Sequence, residues 1–375
     1  RVPRRRLSRS TELEPGEEAL VIFDKSPFYA TGGGEEHDTG ELIIGGAPVA
    51  QVVDVTRGQS GIFLHKVRAK AQGIMVGQTV LGRVDAPRRL GLQQHHTATH
   101  LLHKALRSVL GDHARQAGSL VQEDRLRFDF SHFQSLSKDE LVKVEDLCNK
   151  MIQADETVIW EELPIEEARK RGAIALFGEK YGEIVRVVDV CDVSKEFCGG
   201  THVRRTGQIG QVQIVSETAV AAGIRRIEAV AGMAALERSR ATRSVLEQIG
   251  SDLGVGVEEV PAKVAAVMET VNDLLRSKEA AKQKALDGVA KEIISKATLV
   301  ESAGNRKVAA FRQDDLDMDD LLGLADRLRD GGISVAILGT AKGNRCALVV
   351  MVEDGTAEAG VDAASIVRKG AALVG

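Results

Sequence analysis

Two short segments each place a pair of metal-binding side chains four residues apart. His96 and His100 stand in a segment whose apolar residues recur at helical spacing, so both imidazoles should project from one face of a helix. Cys198 and His202 repeat this spacing across a Gly-Gly turn, where a sharp backbone bend can bring thiolate and imidazole together. The sequence therefore predicts a zinc site made of three histidines and one cysteine.

The residues around these pairs limit the kind of zinc chemistry. Zinc peptidases of the His-Glu-x-x-His type place a glutamate directly after the first histidine, whereas Thr97 stands there in this chain. The pattern therefore argues against a peptidase. Four protein ligands saturate a tetrahedral zinc, while catalytic sites keep one position open for water or substrate. Either one ligand is displaced in the working state, or the metal mainly shapes the pocket.

Histidine is confined to the first part of the chain. All nine histidines lie between His37 and His202, so we expect imidazole chemistry there and a different role for the remainder. The cysteines show no spacing typical of disulfides and stand at Cys148, Cys191, Cys198 and Cys346. A Cys-His metal site fits a reducing compartment, and we expect a cytoplasmic location.

Composition places the chain among globular proteins with a sizeable core. Hydrophobic residues make up 43% and charged residues 28%, and no apolar run approaches the about eighteen residues of a membrane helix. The net charge of −4 gives no general attraction to nucleic acid, so RNA binding would need local basic patches. The basic segment 1–9 lacks the apolar stretch of a secretory signal and indicates a solvated linker or an arm that contacts nucleic acid. Because the sequence opens there without methionine, we expect a fragment of a longer protein.

Short strands separated by Gly, Pro or Asp residues dominate the start of the chain. They are predicted at 19–24, 41–44, 49–56, 61–67 and 79–84. Regular turn signals without a helical pattern indicate a small β-barrel, which we place in residues 1–89. Gly32, Gly33 and Gly34 lie within it, where they either let the backbone approach a ligand or simply make a turn.

A mixed α/β zinc-binding domain is predicted in residues 90–232. Its helices are expected at 97–111, 137–155 and 165–171, and its strands at 125–130, 184–190 and 211–216. Ser137 and Glu140 have the spacing of a capping box at the start of the second helix. Both metal-binding pairs fall within this domain.

Beyond residue 232 the pattern becomes helical and then alternates. Amphipathic segments at 233–249 and 261–296 predict a long antiparallel helical hairpin over residues 233–296. Its longer helix would reach roughly 50 Å and serve as a spacer between two sites or as a dimerisation device. Alternating strands and helices in residues 297–375 predict a small C-terminal α/β domain. The predicted fold class is α+β.

Several motifs occur in one order along the chain and carry a family resemblance. They are His96-Thr-Ala-Thr-His-Leu-Leu-His103, Gly118-Ser-Leu-Val121, Leu126-Arg-Phe-Asp-Phe-Ser-His-Phe133, Gly178-Glu-Lys-Tyr-Gly182, Cys198-Gly-Gly-Thr-His-Val203 and Gly223-Ile-Arg-Arg-Ile-Glu-Ala229. The segment from about Phe23 to Gly232 resembles the editing domain of alanyl-tRNA synthetase, which free-standing alanyl-tRNA-editing proteins also carry. Residues 297–375 resemble the C-terminal domain of that family less closely.

The resemblance implies zinc-dependent hydrolysis of serine or glycine from mischarged tRNA(Ala), and it suggests a role for several residues. Catalytic roles fall to Gln116 and Thr31, and the substrate pocket to Gly32, Gly33 and Gly34. Phosphates of tRNA would be bound by Arg204, Arg205, Arg225 and Arg226, whose guanidinium groups suit phosphate contact. Glu35 departs from the family, which usually has Gln at that position.

The resemblance also implies partners. The acceptor end of tRNA(Ala) would bind at the zinc domain and its outer corner at the C-terminal domain, which would also favour a homodimer. No membrane partner is expected. Three interpretations remain: the editing portion of a synthetase, a free-standing editing protein, or a non-catalytic zinc-stapled module for tRNA binding and dimerisation. The general base also stays open between the terminal hydroxyl of the tRNA and an ordered water.

Overall fold

Seven strands lie in the described part of residues 9–84. The computed structural model describes residues 9–58, 61–70, 73–174, 182–190, 193–301, 305–343, 345–358 and 360–374. The strands are β1 (Glu12–Leu13), β2 (Glu18–Val21), β3 (Gly40–Ile44), β4 (Ala47–Arg57), β5 (Phe63–Ala69), β6 (Ile74–Met75) and β7 (Leu81–Val84). β1 pairs with β6, and the other five form an antiparallel sheet in the order β2, β5, β4, β3, β7. Alternating burial along β5 puts one face of this sheet into an apolar core.

The predicted small β-barrel is wrong, because this sheet is open. In the part of residues 9–84 that the structure describes, no pairing joins the edge strands β2 and β7. The segment after β2 contains Pro27, which lacks the N–H group needed for a strand ladder. Side chains of Pro27 and Phe28 pack over the face of β7 at Gly82.

A long buried helix, α1 (Ala86–Leu110), follows the sheet and begins eleven positions before the predicted Thr97. The side chain of Asp85 accepts a hydrogen bond from the backbone N–H of Arg88, and Pro87 occupies the first turn. Both features favour a helix start there. α1 ends before Gly111, whose φ of 108° suits glycine.

Two further sheets and two helices complete the part that holds the metal-binding pairs. In chain order these are β8 (Gln116–Val121), β9 (Leu126–Ser131), α2 (Lys138–Gln153), β10 (Val158–Pro164), α3 (Ile165–Lys170), β11 (Ile184–Val190), β12 (Ser194–Phe197), β13 (Val212–Ala221) and β14 (Ile224–Ala231). Strands pair in the orders β13, β14, β9, β8 and β10, β11, β12. The helices and the strands β9, β11 and β13 confirm the predicted elements, whereas β8, β10, β12 and β14 were not predicted. The capping box of Ser137 and Glu140 is confirmed.

One apolar core ties α1 to the four-stranded sheet. Leu102 and Leu106 of α1 are fully buried with Phe128 and Phe130 of β9. Because these contacts fix the C-terminal half of α1 against the sheet, they also fix the direction in which His96 and His100 project. Residues 178–181 of the motif that ends at Gly182 lie outside the described residues, as does Cys191.

The chain divides into two compact units, Arg1–Val245 and Leu246–Gly375. The helix α4 (Gly232–Leu253) runs across the division, and the second unit continues with α5 (Val260–Lys296), β15 (Thr298–Val300), β16 (Arg306–Arg312), α6 (Met318–Asp330), β17 (Val335–Lys342), β18 (Arg345–Val352), α7 (Asp354–Ala357) and α8 (Ala363–Val374). β16 and β17 are parallel and joined by α6, as the alternating pattern of strands and helices predicted, while a separate domain of residues 297–375 stays a prediction. Both helices of the predicted hairpin exist, while their antiparallel packing and the division into four domains stay predictions. No helix in the described part of the chain has the length and apolarity to cross a membrane.

Candidate metal centre

Two elements of the first unit bring the four predicted metal ligands together. α1 supplies His96 and His100 from one face, and the loop after β12 supplies Cys198 and His202. Their potential ligand atoms all lie within 4.8 Å of one another. The Sγ atom of Cys198 is 3.3 Å from Nε2 of His96 and 3.3 Å from Nε2 of His202.

The cluster fits a tetrahedral metal ion by distance and by donor chemistry. Metal–nitrogen and metal–sulfur bonds of about 2.0–2.3 Å place tetrahedral ligand atoms roughly 3.3–3.6 Å apart. The observed sulfur–nitrogen separations of 3.3 Å agree with that spacing. A set of one thiolate and three imidazoles, all but the cysteine buried, is one that divalent transition metals favour.

Each ligand histidine has a partner for its second ring nitrogen. Nδ1 of His96 lies 2.7 Å from Oε2 of Glu35, and Nδ1 of His100 lies 3.0 Å from Oε2 of Glu196. Nδ1 of His202 lies 3.2 Å from the hydroxyl oxygen of Thr97. These contacts fix each imidazole so that Nε2 faces the centre, an arrangement typical of metal-binding histidines.

Glu35 is the residue whose role the sequence did not predict. Its side chain is fully buried and accepts a hydrogen bond of 2.7 Å from the backbone N–H of Thr201, besides its contact with His96. The hydroxyl of Thr201 donates to the other carboxylate oxygen. Glu35 thus connects α1 to the loop that carries Cys198. No local sequence pattern indicates this contact, because 61 positions separate the two partners.

Glu196 was also missed and serves two imidazoles at once. Oε1 of Glu196 lies 3.1 Å from Nδ1 of His103, one helical turn beyond His100. The hydroxyl of Ser194 donates to the same oxygen at 2.7 Å. Strand β12 therefore positions α1 through a carboxylate that is almost completely buried.

The turn between Cys198 and His202 depends on one of its two glycines. A Cβ atom on Gly200 would overlap the ring of His96 and the carboxylate of Glu35, whereas a Cβ on Gly199 would meet nothing within 4 Å. The glycine at position 200 is therefore required by the close approach of α1, and the glycine at position 199 is not.

The electrostatics of the metal-free cluster favour a thiolate. Burial would raise the pKa of Cys198, but the neighbouring His96 and His202 and the hydrogen bonds from His100 and His202 lower it well below the ordinary value. Burial would lower the pKa of His100, but the carboxylate of Glu196 and contacts to Cys198 raise it to about 9. Burial lowers the pKa of His202 to about 3, so its imidazole is neutral near pH 7. The sulfur is thus ready to bind a metal cation.

A cavity of about 310 Å³ opens onto this cluster. His96, His100 and Cys198 form one wall of it. Gln116 and Ser119 of β8 form another, and the amide nitrogen Nε2 of Gln116 donates to the hydroxyl oxygen of Ser119 at 3.1 Å. The cavity has the size of the smaller ligand sites in proteins, about 300–1,000 Å³. It combines a metal-binding wall with a hydroxyl and an amide that can contact a small polar group.

Comparison with known proteins shows which family the chain is similar to. The chain is 39% identical over 365 residues to the alanine–tRNA ligase of Acetivibrio thermocellus, a match that covers 97% of this chain and 41% of that ligase. It is 46% identical over 337 residues to the alanine–tRNA ligase of Thermus thermophilus, covering 87% of this chain and 37% of the ligase. The chain is homologous to alanine–tRNA ligases. The resemblance to the alanyl-tRNA synthetase family predicted from its motifs is therefore confirmed.

Two family models match parts of the chain. The threonyl and alanyl tRNA synthetase second additional domain matches residues 185–228, which contain Cys198 and His202. The class II (A) tRNA synthetase model matches residues 4–88. A third relative, the alanine–tRNA ligase of Pelotomaculum thermopropionicum, is 40% identical over 98% of this chain and 42% of its own length. The chain thus spans about two fifths of the length of these alanine–tRNA ligases.

The pocket residues suggested by the resemblance to the synthetase lie in two places. Gly32, Gly33 and Gln116 line the cavity beside the metal-binding wall. Gly34 packs against Ser119 of β8, and its carbonyl oxygen accepts a hydrogen bond from the backbone N–H of Val121 in the same strand. Thr31 is exposed outside the described lining of the cavity, with its hydroxyl oxygen 3.3 Å from Nδ1 of His37. The catalytic role of Thr31 stays a prediction.

The four arginines suggested for tRNA contact differ in how well they are neutralised. Arg225 forms two hydrogen bonds to Glu217, of 2.5 and 2.7 Å, and Arg226 forms two to Asp129, of 2.7 and 2.8 Å. Arg205 pairs with Asp155 at 2.7 Å. Arg204 is exposed, and its guanidinium has no carboxylate partner in the described residues. The tRNA-binding role of all four stays a prediction.

Proposed function

We propose that this chain removes wrongly attached serine or glycine from tRNA(Ala) by hydrolysing the ester at the 3′ end of the tRNA. The observation that carries the proposal is the cavity whose wall is formed by His96, His100 and Cys198. The match to the threonyl and alanyl tRNA synthetase second additional domain, over the segment that holds Cys198, supports the same conclusion. A free-standing deacylase and an editing portion of a synthetase share this reaction.

The metal proposed for the cluster is zinc. One thiolate and three imidazoles are a donor set that zinc accepts, and the spacing of the ligand atoms suits its tetrahedral geometry. Bound zinc supplies a positive charge that polarises a neighbouring carbonyl or water oxygen. Glu35, Glu196 and Thr97 hold the three imidazoles in the orientation required for binding it.

Gln116 and Ser119 are proposed to select the amino acid. The hydroxyl of Ser119 accepts a hydrogen bond from Gln116, so its own proton remains available for a substrate oxygen. A seryl group would pair with these polar atoms, whereas an alanyl group would leave them unpaired in a partly buried cavity. Glycine would enter because it is smaller than alanine.

The proposed reaction consumes one water. The water oxygen bonds to the acyl carbon, and the bond between that carbon and the ribose oxygen breaks. One water proton goes to the ribose oxygen, which leaves a free tRNA hydroxyl, and the amino acid departs as its carboxylate with release of the second proton. Arg186 lines the cavity, where its guanidinium donates to the carbonyl oxygens of Cys198 at 3.0 Å and Gly200 at 2.6 Å. These bonds hold the turn that presents the sulfur.

Binding of the remaining tRNA is proposed for separate surfaces. Arg204 and Arg205 are exposed on the first unit and would contact acceptor phosphates. The small α/β domain of residues 297–375 would contact the outer corner of the tRNA and support a homodimer. A protein with this function would work in the cytoplasm.

The test compares hydrolysis of serine-charged and alanine-charged tRNA(Ala) by the full chain, with zinc quantified in the same preparation. We expect rapid loss of serine, sparing of alanine, and about one zinc per chain. Ser119→Ala should retain zinc but lower kcat/KM for the seryl substrate by roughly tenfold, the usual size of one hydrogen bond. Cys198→Ala should lose both zinc and hydrolysis.

The same experiment distinguishes the proposed deacylase from a non-catalytic binding module. A chain that binds one zinc and tRNA but hydrolyses neither ester would be a zinc-stapled binding module, and the proposed reaction would be wrong. Equal hydrolysis of the seryl and alanyl esters would contradict the selective role given to Gln116 and Ser119. Hydrolysis retained in a folded Cys198→Ala variant without zinc would contradict the metal assignment.

A further inference from the structure

A second cavity, of about 330 Å³, adjoins the one at the metal centre. We call it the aromatic groove, and its walls include Tyr29, Arg57, Phe63, Arg89, Trp160 and Arg186. Tyr29, Arg57 and Arg186 line both cavities, as do Gly199 and Gly200. A chain molecule whose end lies at the metal centre could therefore continue into the aromatic groove.

Each of two aromatic rings in this groove has an arginine guanidinium group over its face. The guanidinium carbon of Arg57 lies 5.3 Å from the centre of the Phe63 ring, and that of Arg186 lies 5.3 Å from the centre of the Trp160 ring. Arg57 and Phe63 stand opposite each other in the pairing of β4 with β5, so the strand register fixes the first pair. Both rings remain accessible, with Phe63 37% and Trp160 42% exposed.

The positive charge of the groove is only partly neutralised. Arg89 pairs with the buried carboxylate of Asp38. Arg186 is held by backbone carbonyl oxygens, and neither it nor Arg57 has a carboxylate partner in the described residues. No aspartate or glutamate belongs to the described lining of the groove. The groove therefore offers two arginines and two accessible aromatic rings, which suit an anionic ligand that carries flat groups.

We infer that the aromatic groove binds the unpaired nucleotides next to the 3′ end of an RNA whose terminal ester lies at the metal centre. Proteins hold single-stranded nucleic acid with a positive groove for the backbone and aromatic side chains on which bases stack. Phe63 and Trp160 provide the stacking faces, and Arg57 and Arg186 provide the charge. Only the position of the 3′ end rests on the proposed function, since binding of the unpaired bases can be measured without hydrolysis.

The binding test uses the intrinsic fluorescence of Trp160, the only tryptophan in the sequence. The full chain is titrated with the ribotetranucleotide 5′-ACCA-3′, and base stacking on the indole should quench its emission in a saturable way. Phe63→Leu should weaken the Kd by roughly tenfold, the loss expected from one stacking contact. Phe133→Leu is the matched control, because Phe133 is 90% exposed and lies outside the lining of the groove.

A second measurement uses serine-charged tRNA(Ala). Trp160→Leu and Phe63→Leu should raise KM several-fold with little change in kcat, while Trp160→Phe should keep KM near the wild-type value because a ring remains. If the chain shows no hydrolysis but its quenching is weakened by Phe63→Leu, binding of unpaired nucleotides in the aromatic groove would be supported and the proposed reaction would be wrong. Hydrolysis without any quenching, or identical Kd values for Phe63→Leu and Phe133→Leu, would overturn the inference and leave the proposed reaction standing.

Discussion

The carboxylate of Glu35 lies 2.7 Å from Nδ1 of His96, although the two residues are 61 positions apart in the chain. This contact joins the segment after β2 to the metal-binding face of α1. It also places a negative charge behind a metal ligand, where a carboxylate increases the basicity of the imidazole. Glu35 is thus part of the support for the candidate metal centre.

Replacement of Glu35 should separate its charge from its hydrogen bonds. Glu35→Gln keeps an oxygen that can accept from His96, so we expect metal affinity within a few-fold of the wild type. Glu35→Ala removes the acceptor and should weaken metal affinity by about 10–100-fold. Competition with a chromophoric chelator measures both. Equal affinities for the wild type and Glu35→Ala would contradict the role assigned to this residue.

The two glycines of the metal-binding turn provide a matched pair of variants. Gly200→Ala should abolish metal binding and lower Tm, because the new methyl group would overlap His96 and Glu35. Gly199→Ala should bind metal like the wild type, since its methyl group would meet nothing within 4 Å. Metal content and thermal unfolding of the two purified variants give the comparison. A similar loss of metal in both would show that the turn needs flexibility rather than space.

Protonation of the metal-free cluster should make stability depend on pH. The raised pKa values of His96 and His100, the latter about 9, let the folded chain keep two protons that unfolded histidines lose near pH 6.5. The lowered pKa of Cys198 works in the opposite direction below its ordinary value of 9.0, where only the unfolded thiol is protonated. The folded state thus holds one proton more than the unfolded state, so the free energy of unfolding should fall as pH rises from 6.5 to about 9.

Metal binding should reverse this dependence, because the metal replaces the protons on His96 and His100 while the unfolded Cys198 thiol still keeps its proton. Urea denaturation of chelator-treated and zinc-loaded protein across that pH range tests the expectation. The slope should be negative for the metal-free chain and positive for the loaded one. Parallel curves would mean that the imidazoles do not hold the additional protons.

The suggested tRNA-binding arginines should respond differently to neutralisation. Arg204→Gln should weaken binding of tRNA(Ala) and reduce the slope of log affinity against log salt by about 1, because its guanidinium is free for a phosphate. Arg226→Gln should chiefly lower the free energy of unfolding, by about 1–3 kcal/mol, since it leaves the nearly buried Asp129 without its main partner. Salt-dependent binding and chemical denaturation distinguish the two. An unchanged salt slope for Arg204→Gln would exclude it from phosphate contact.

Local spacing was sufficient to predict the cluster of four candidate metal ligands, but not the residues that support them. The pairs that begin at His96 and Cys198 can be recognised in the sequence because the two members of each pair are four residues apart. Glu35 and Glu196 reach the same imidazoles from other strands, and such contacts depend on tertiary structure that no local pattern contains. The C-terminal strands and helices were predicted well because regular turns separate them.

Other errors have local physical causes. The start of α1 was placed too late because the polar residues after Pro87 hide its periodicity, although Asp85 caps the helix. The barrel was predicted from strand spacing alone, which does not determine whether the edges of a sheet meet. Strand β8 was missed, and Gln116 at its start lines the cavity.

The separation of the two ligand pairs has a consequence for how the protein is made. A ribosome that adds about 5–20 residues per second would synthesise Cys198 roughly 5–20 s after His96, since 102 positions lie between them. During that interval the nascent chain offers two imidazoles without the thiolate, a weak chelate that releases its ion readily. Durable capture of a metal therefore waits until β12 and the turn after it have emerged, so the complete candidate site forms only after more than half of this chain has been made.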